Sequence, residues 1–578
     1  MSEAQLQWLE VRDFTKGIRQ RGQTDPAYTN NGQTSALNGL AVEAQGIASH
    51  DGTFRCIALP DGGLGPLPRS SSIPRTGSPL PANTTAVTTG FGIMGPTSII
   101  GGTPVDYGRP EDQSITTRNN SFIVGYHYDS GANRIVKVER WRFSPSGTPT
   151  FDSLYSFTDT NDANQPPVPV WIAFGRSAYD AFGPLQAGPP VVMVSYAGYE
   201  AIGFTFVFPD PHAAGIRTLT PYSPSPSTIG QGMAVAHQSR FAIFTPTVWA
   251  QGANNLYSST NEDVFFTAPN DVYGTISSAI SNFSPEDPVG VGVAASLSAS
   301  DLLLIKHQYG AYLVQGALET PMVRRMPGVM PTMGAQQKGA LTGIGFVYGA
   351  NGGGVYSWGG GDSSQNISPQ LDNGFWQVNG LPGESVSTNG LKKFNGSFSA
   401  FGEWVMAPNN WLYDPASNSW WRLEDPSVIQ FWMYQPDILL PSLYACGTTW
   451  TNSNNAFIYQ FDRTLGATSW QWTSQPIILG NYRMVDFKDM MLGFHSQSSS
   501  GGTITVTMYD EQGGSTSRAI SYAHNAGRLQ MIRFTLNPTP RTMALMRFRI
   551  VADGGSNTAP IVSTIRFGYE EIKEIARS

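Results

Sequence analysis

Phe122–Tyr128 (FIVGYHY), Asp129–Asn133 (DSGAN) and Arg134–Phe143 (RIVKVERWRF) form the stretch that decides the fold. The two flanks alternate apolar and polar residues with a period of two and are rich in β-branched and aromatic side chains, as half-buried strands require. The five residues between them are turn formers, so the simplest reading is a β-hairpin. Comparable apolar strands start at Val191 (VVMVSY), Phe241 (FAIF), Leu302 (LLLIKH), Val355 (VYSW), Trp411 (WLYDP) and Phe457 (FIYQF). Successive starts lie 46 to 69 residues apart, about 56 on average. A sandwich would place strands every 8 to 12 residues or so, whereas a four-stranded propeller blade takes roughly 40 to 50, so the spacing predicts a propeller-like body with loop insertions. The repeat lies in the spacing and is absent from the residues themselves.

Composition agrees with a turn-rich, strand-rich chain. Among 578 residues there are 63 Gly and 41 Pro, spread along the whole length. Charged residues are only 13% and aromatic ones 12%, which leaves Ser, Thr, Asn, Gln and aromatic edges to cover the surface. Such a surface suits contacts with proteins or sugars. The net charge of −7 and the absence of basic clusters longer than Arg324-Arg325 or Lys392-Lys393 argue against a protein that grips nucleic acid. The two cysteines, Cys56 and Cys446, have no metal-type spacing and are expected to be free thiols. The opening residues MSEAQLQWLEVRDF lack the basic and apolar regions of a secretory signal, and no apolar run is long enough for a membrane helix. Synthesis in a cytoplasm without a leader is the expectation.

The fold class read from these patterns is mostly β, with a propeller-like body, a C-terminal β-sandwich and an extended N-terminal arm. Strand is expected to exceed roughly 35% and helix to stay below about 10%. Residues 1–110 hold polar stretches and Pro/Ser runs that cannot form a core alone, so they are expected to wrap over neighbouring structure, with a short strand at Thr53–Leu59. Residues 111–475 form the body and 476–578 the sandwich, where Thr503–Tyr509, Leu529–Leu536 and Met546–Val551 alternate cleanly. Within the body, Trp411–Pro415 followed by Asn418–Leu423 resembles a kelch blade: a strand, a turn around Asp-Pro, and a strand with an early Trp.

No arrangement of reactive residues stands out. The seven histidines (His50, His127, His212, His237, His307, His495, His524) show no ligand spacing, and there is no GxSxG elbow and no P-loop. The Gly-rich runs at 352–354 and 359–361 lie between strands, where they serve turns. A propeller glycosidase would need two carboxylates facing across a cleft, which a sequence cannot display. Ser49–Phe54 departs from the Asp box of sialidases, with Gly directly after Asp51 and no Trp. Asp159, Asp162, Glu262, Asp263, Asp510 and Glu511 sit in turn-like segments that can ligate calcium, with solvated turns as the default. Trp404, Trp411, Trp420, Trp421, Trp432 and Trp450 crowd together, chiefly as core filling, with one or two of them at an interface or stacked on sugar. No catalytic residue, cofactor-binding residue or metal site is assigned, and the expectation is a chain that is not an enzyme.

The opening phrase Trp8–Ile18 (WLEVRDFTKGI) resembles the start of bacteriophage head–tail and tail proteins. The junction Trp472–Ile477 and the closing strand Ile565–Tyr569 look like the end of propeller-containing tail proteins of short-tailed phages, the nozzle or hub class. The resemblance implies a structural virion protein made in the host cytoplasm: a homo-oligomer, commonly a hexameric ring, joined to other tail or adaptor proteins. It also implies a channel through which genomic DNA passes without sequence-specific binding. A polar to acidic channel wall is expected, with Thr158–Gln165 and Asn261–Asp263 as contributors. Two alternatives stand beside it, a receptor- or glycan-binding propeller and a propeller glycosidase.

Overall fold

A computed structural model describes the backbone of the strands named below, with side chains chiefly within residues 6–12, 55–69, 293–371, 398–421 and 466–572. All regular structure among the described residues is strand, arranged in antiparallel sheets. The chain is mostly β, with a propeller-like body followed by a C-terminal sandwich.

Among the described residues the body consists of seven successive sheets. Thr84–Thr85 and Gly92–Met94 pair with Ser121–Ser130, which continues to Asn133–Phe143 and Pro149–Asp159. The next five sheets each take four consecutive strands, beginning at Val168–Arg176, Met233–His237, Val291–Ser296, Ala340–Thr342 and Ser399–Phe401. The seventh takes Val428–Tyr434, Ser442–Thr449 and Asn452–Gly466, and its fourth strand is Pro68–Ser72 from the N-terminal segment. Each of the seven apolar blocks seen in the sequence falls in a different sheet.

One strand from each of these sheets stands beside the next in a series from Ala340–Thr342 through Ser399–Phe401, Val428–Tyr434, Gly92–Met94, Val168–Arg176 and Met233–His237 to Val291–Ser296. The fourth and fifth sheets, at the two ends of that series, pack face to face through Leu303, Ile305, Phe346, Tyr348 and Trp358. A strand covered on both faces has no use for alternation, and the centre of Asp301–Lys306 (DLLLIK) accordingly reads as a continuous apolar run, Leu302 to Ile305, buried together with Lys306. Gly345, at φ +108°, turns one such hairpin; a Cβ there would lie 2.4 Å from the carbonyl oxygen of Trp358.

The kelch-like phrase forms a hairpin in the sixth sheet, with Trp411 opposite Arg422 and Asp414 opposite Ser419. Buried Asp414 accepts the Ala416 amide N–H at 3.1 Å, and Asn418, at φ +48°, accepts the Tyr413 hydroxyl at 3.0 Å. The two faces of this sheet serve different cores. Trp411, Tyr413 and Trp420 pack with the fifth sheet, while Met406, Leu412 and Trp421 join the core of the sandwich. The side chains of Trp432 and Trp450 lie outside the described residues.

In the sandwich, a seven-stranded sheet built on Val485–His495 and Ile561–Glu571 faces a five-stranded sheet built on Gly502–Tyr509 and Leu545–Asp553. Here one face of each sheet meets the core, so Gly502–Tyr509 alternates in burial along its length. Phe548 stacks on Phe567 at 4.3 Å, and Phe494 meets Tyr522 edge-on at 5.1 Å. Ser469–Thr473, which precedes the expected junction at 476, pairs with Leu545–Asp553.

The N-terminal segment, expected to wrap over neighbouring structure, contributes strands to three sheets of the body and sandwich, and Ile99–Ile100 pairs with Thr103–Pro104 in a small sheet of its own. Gln7–Val11 pairs with Ile561–Glu571, Leu64–Pro66 meets the same strand at Val562, and Cys56–Ala58 lies outside Leu64–Pro66. Phe14 is buried edge-on against Trp472 at 5.3 Å. Cys56 is a buried free thiol that donates to the Gln471 carbonyl, while the Cys446 thiol lies outside the described residues.

Entry to and exit from the body are tied together. The Ala467 N–H donates to the Leu67 carbonyl at 2.7 Å, and the Ala559 N–H donates to the Ala467 carbonyl at 3.0 Å. Because Trp421 carries the packing between the sixth sheet and the sandwich, Trp421→Ala is expected to cost about 3–5 kcal/mol. The check is denaturant unfolding followed by Trp fluorescence, in which the midpoint falls relative to the unchanged chain.

Candidate functional site

A gathering of polar and aromatic groups with described geometry lies on the outer face of the seven-stranded sheet. Alternation along Gln7–Val11 turns Leu9 and Val11 toward the core and Trp8 and Glu10 away from it. Register then sets their neighbours. Trp8 lies opposite Gly568 and Glu10 opposite Arg566, while on the other side of that strand Gly568 faces Asp489 and Arg566 faces Met491. Arg533 lies opposite Met491 on the next strand.

Gly568 leaves room for an aromatic ring. A Cβ at that position would meet the benzene half of the Trp8 indole at 3.1 to 3.3 Å, so the ring rests on the glycine backbone. Trp8 remains 38% exposed. The Arg533 guanidinium carbon sits 5.7 Å from a Trp8 ring centroid, within cation–π range. Arg533 also holds Asp489 by two nitrogens, Nε at 3.1 Å and Nη2, while the Thr535 hydroxyl donates to the other carboxylate oxygen at 2.9 Å. The Arg533 hydrogen bonds keep the Asp489 pKa below the ordinary carboxylate value against the opposing effect of burial, with Thr535 assisting.

Glu10 is the second node. Its Oε1 accepts from Arg566 Nε at 2.6 Å and from the Thr564 hydroxyl at 3.1 Å, and lies 2.8 Å from Arg12 Nε. Burial pushes the Glu10 pKa up, but the hydrogen bonds from Arg12, Arg566 and Thr564 outweigh it and bring it down to about 2. A third node joins Lys488 Nζ to Asp486 at 2.6 Å and to Glu570 at 3.0 Å, which raises the lysine pKa. Glu10 and Asp489 are thus held ionised, as an ion-paired binding face requires and as a general acid does not.

Sequence reasoning placed Trp8 only within an opening phrase, because the glycine it rests on lies 560 positions later. The acidic turn residues that can ligate calcium have no described side chains. Asp159 ends its strand and Glu262 and Asp263 open another, but their side chains, with Asp162, Asp510 and Glu511, lie outside the described residues. So do the side chains of Thr158–Gln165 and Asn261–Asp263. His237 is buried and shares a 2.8 Å hydrogen bond with Ser296, a link from the third sheet to the fourth, and His524 pairs with Ser496 at 3.2 Å. Among the described residues, no three His, Cys, Asp or Glu side chains gather as a metal site, and no helix is long and apolar enough to cross a membrane.

No family model and no curated protein matches the chain. Among solved structures it is similar to an exo-β-1,3-galactanase from Phanerochaete chrysosporium, at 9% identity over 84% of this chain and 100% of the other, with a TM-score of 0.27. It is similar to a glycoside hydrolase family 43 arabinoxylan arabinofuranohydrolase from Bacillus subtilis, at 8% identity over 83% and 99%, with a TM-score of 0.25. The enzymatically active domain of tailspike protein 4 of bacteriophage CBA120 is similar at 16% identity over 24% and 16%, with a TM-score of 0.13. Likeness at this level assigns no chemistry to the chain. It does correct the expectation that the chain is not an enzyme, since glycoside hydrolases stand among the structures it resembles. The physical reason is that a glycosidase needs two carboxylates from distant strands, a pair with no linear motif, so missing motifs are no argument against hydrolysis.

The Glu10 node generates a pH test. Its folded pKa of about 2 lies below the ordinary glutamate value of 4.5, so its contribution to stability is complete above 4.5 and is lost as pH falls toward 2. Thermal melts of the unchanged chain and Glu10→Gln are expected to differ by a constant interval above about pH 5 and to converge below 4.5. A gap that widens on acidification would contradict the assignment.

Proposed function

We propose that this chain is a glycan-directed propeller protein, one that engages a polysaccharide or cell-surface glycan. The observation that carries the reading is the outer sandwich face, where the exposed Trp8 ring is bordered by the Arg533–Asp489 pair and the Thr535 hydroxyl. A sugar ring offers an apolar C–H face for stacking and a rim of hydroxyls for bidentate polar groups, and this face offers the complement of both. The low charge and polar, aromatic composition of the chain support the same reading.

A second reading, a ring-forming subunit of a phage tail that lines a DNA exit channel, draws on the phrase Trp8–Ile18 and on the lack of basic runs. In that setting the chain is a virion component, a homo-oligomer and a neighbour of other tail proteins, and glycan engagement would serve host recognition.

The test is a panel of polysaccharides assayed with the full chain both for retention in affinity electrophoresis and for release of reducing ends. Retention of at least one polymer is the expected result. Release of reducing ends in addition would make the chain a glycosidase, while neither retention nor release across the panel would overturn the glycan reading. Electron microscopy of the purified chain and of virus particles checks the second reading, for which the expected image is a ring around a channel.

A further inference from the structure

We infer that the outer sandwich face takes an uncharged sugar, stacked on the exposed side of Trp8, in preference to an acidic one. The inference rests on the glycan reading and adds the ligand class. Four cations, Arg12, Arg533, Arg566 and Lys488, and four anions, Glu10, Asp486, Asp489 and Glu570, make up the three nodes, and they balance to zero. Each cation is engaged with a carboxylate of the face itself. Arg533 commits two nitrogens to Asp489, and Arg566 commits Nε to Glu10. A uronate or sialate would have to displace one of these carboxylates before meeting a guanidinium, leaving the displaced group without its partner. An uncharged sugar needs no such exchange. Its C–H face can cover the Trp8 ring, whose underside is already occupied by Gly568, and its hydroxyls can use the unfilled lone pairs and N–H groups of the intact Asp489–Arg533 pair.

Two further features favour a flat, shallow ligand. Glycine at 568 brings the indole down against the sheet, so the platform lies low on the surface. Leu529 and Met531, exposed at alternate positions of the strand that carries Arg533, continue the face with apolar surface.

The experiment compares neutral and uronate-containing polysaccharides by affinity electrophoresis and calorimetry on the full chain, at low and high salt. Expected is binding to a neutral polymer that changes little with ionic strength, because no net charge is neutralised. Trp8→Ala is expected to weaken it roughly tenfold or more, and Trp8→Phe to retain most of it. If Trp8→Ala proves unfolded by circular dichroism, Trp8→Thr removes the ring while keeping a strand-forming residue. Salt-sensitive binding of acidic polymers alone would overturn the inference and leave the glycan reading standing. So would neutral binding that a folded Trp8 variant leaves unchanged. Failure of every polymer to bind would overturn the glycan reading itself.

Discussion

The pair of backbone hydrogen bonds that links Leu67, Ala467 and Ala559 is the constraint on which the rest of the structure depends. A body made of successive sheets leaves two loose ends where the chain comes in and goes out, and buried backbone groups at those ends need partners. Leu67 precedes the strand that completes the seventh sheet, and Ala467 follows the strand it completes. Bonding the two together holds Pro68–Ser72 against Asn452–Gly466 and covers an edge that would otherwise invite pairing with other chains. Ala559 then ties the same point to the sandwich. The sandwich is therefore attached at the body's seam, and the shared core through Met406, Leu412 and Trp421 follows from that placement.

The two halves solve burial differently, and the polar face follows from the difference. Body strands such as Asp301–Lys306 are covered on both sides and keep no outward row for chemistry. The sandwich strands have one free side, and the residues there set their own charge balance through Glu10, Asp489 and Lys488. Function that needs an exposed, pre-arranged set of side chains has room on such a sheet face.

Much of the architecture was legible because apolar blocks in a doubly covered sheet are strong signals. The blocks at Phe122, Val191, Phe241, Leu302, Val355, Trp411 and Phe457 each mark a separate sheet. Pro68–Ser72 (PRSSS) gave no such signal, since its place comes from the edge it covers and not from its own side chains. The candidate site was less legible still. Trp8, Glu10, Asp489, Arg533 and Gly568 come from four strands, and only the register brings them together. The expectation that the chain is not an enzyme rested on missing motifs, and a carboxylate pair drawn from distant strands would leave none.

The pairing of Gln7 with Tyr569 has a consequence for biosynthesis. The strand Gln7–Val11 waits for a partner more than 550 residues later, which at roughly 5 to 20 residues per second takes about half a minute to two minutes. Through that interval Val11 and Phe14, both destined for full burial, have no core to enter. Gln7–Val11 and Ile561–Glu571 thus join only after the seven sheets between them have been synthesised. The nascent chain spends its longest exposure with its N-terminal apolar residues uncovered, which makes that segment the natural point of attachment for a chaperone.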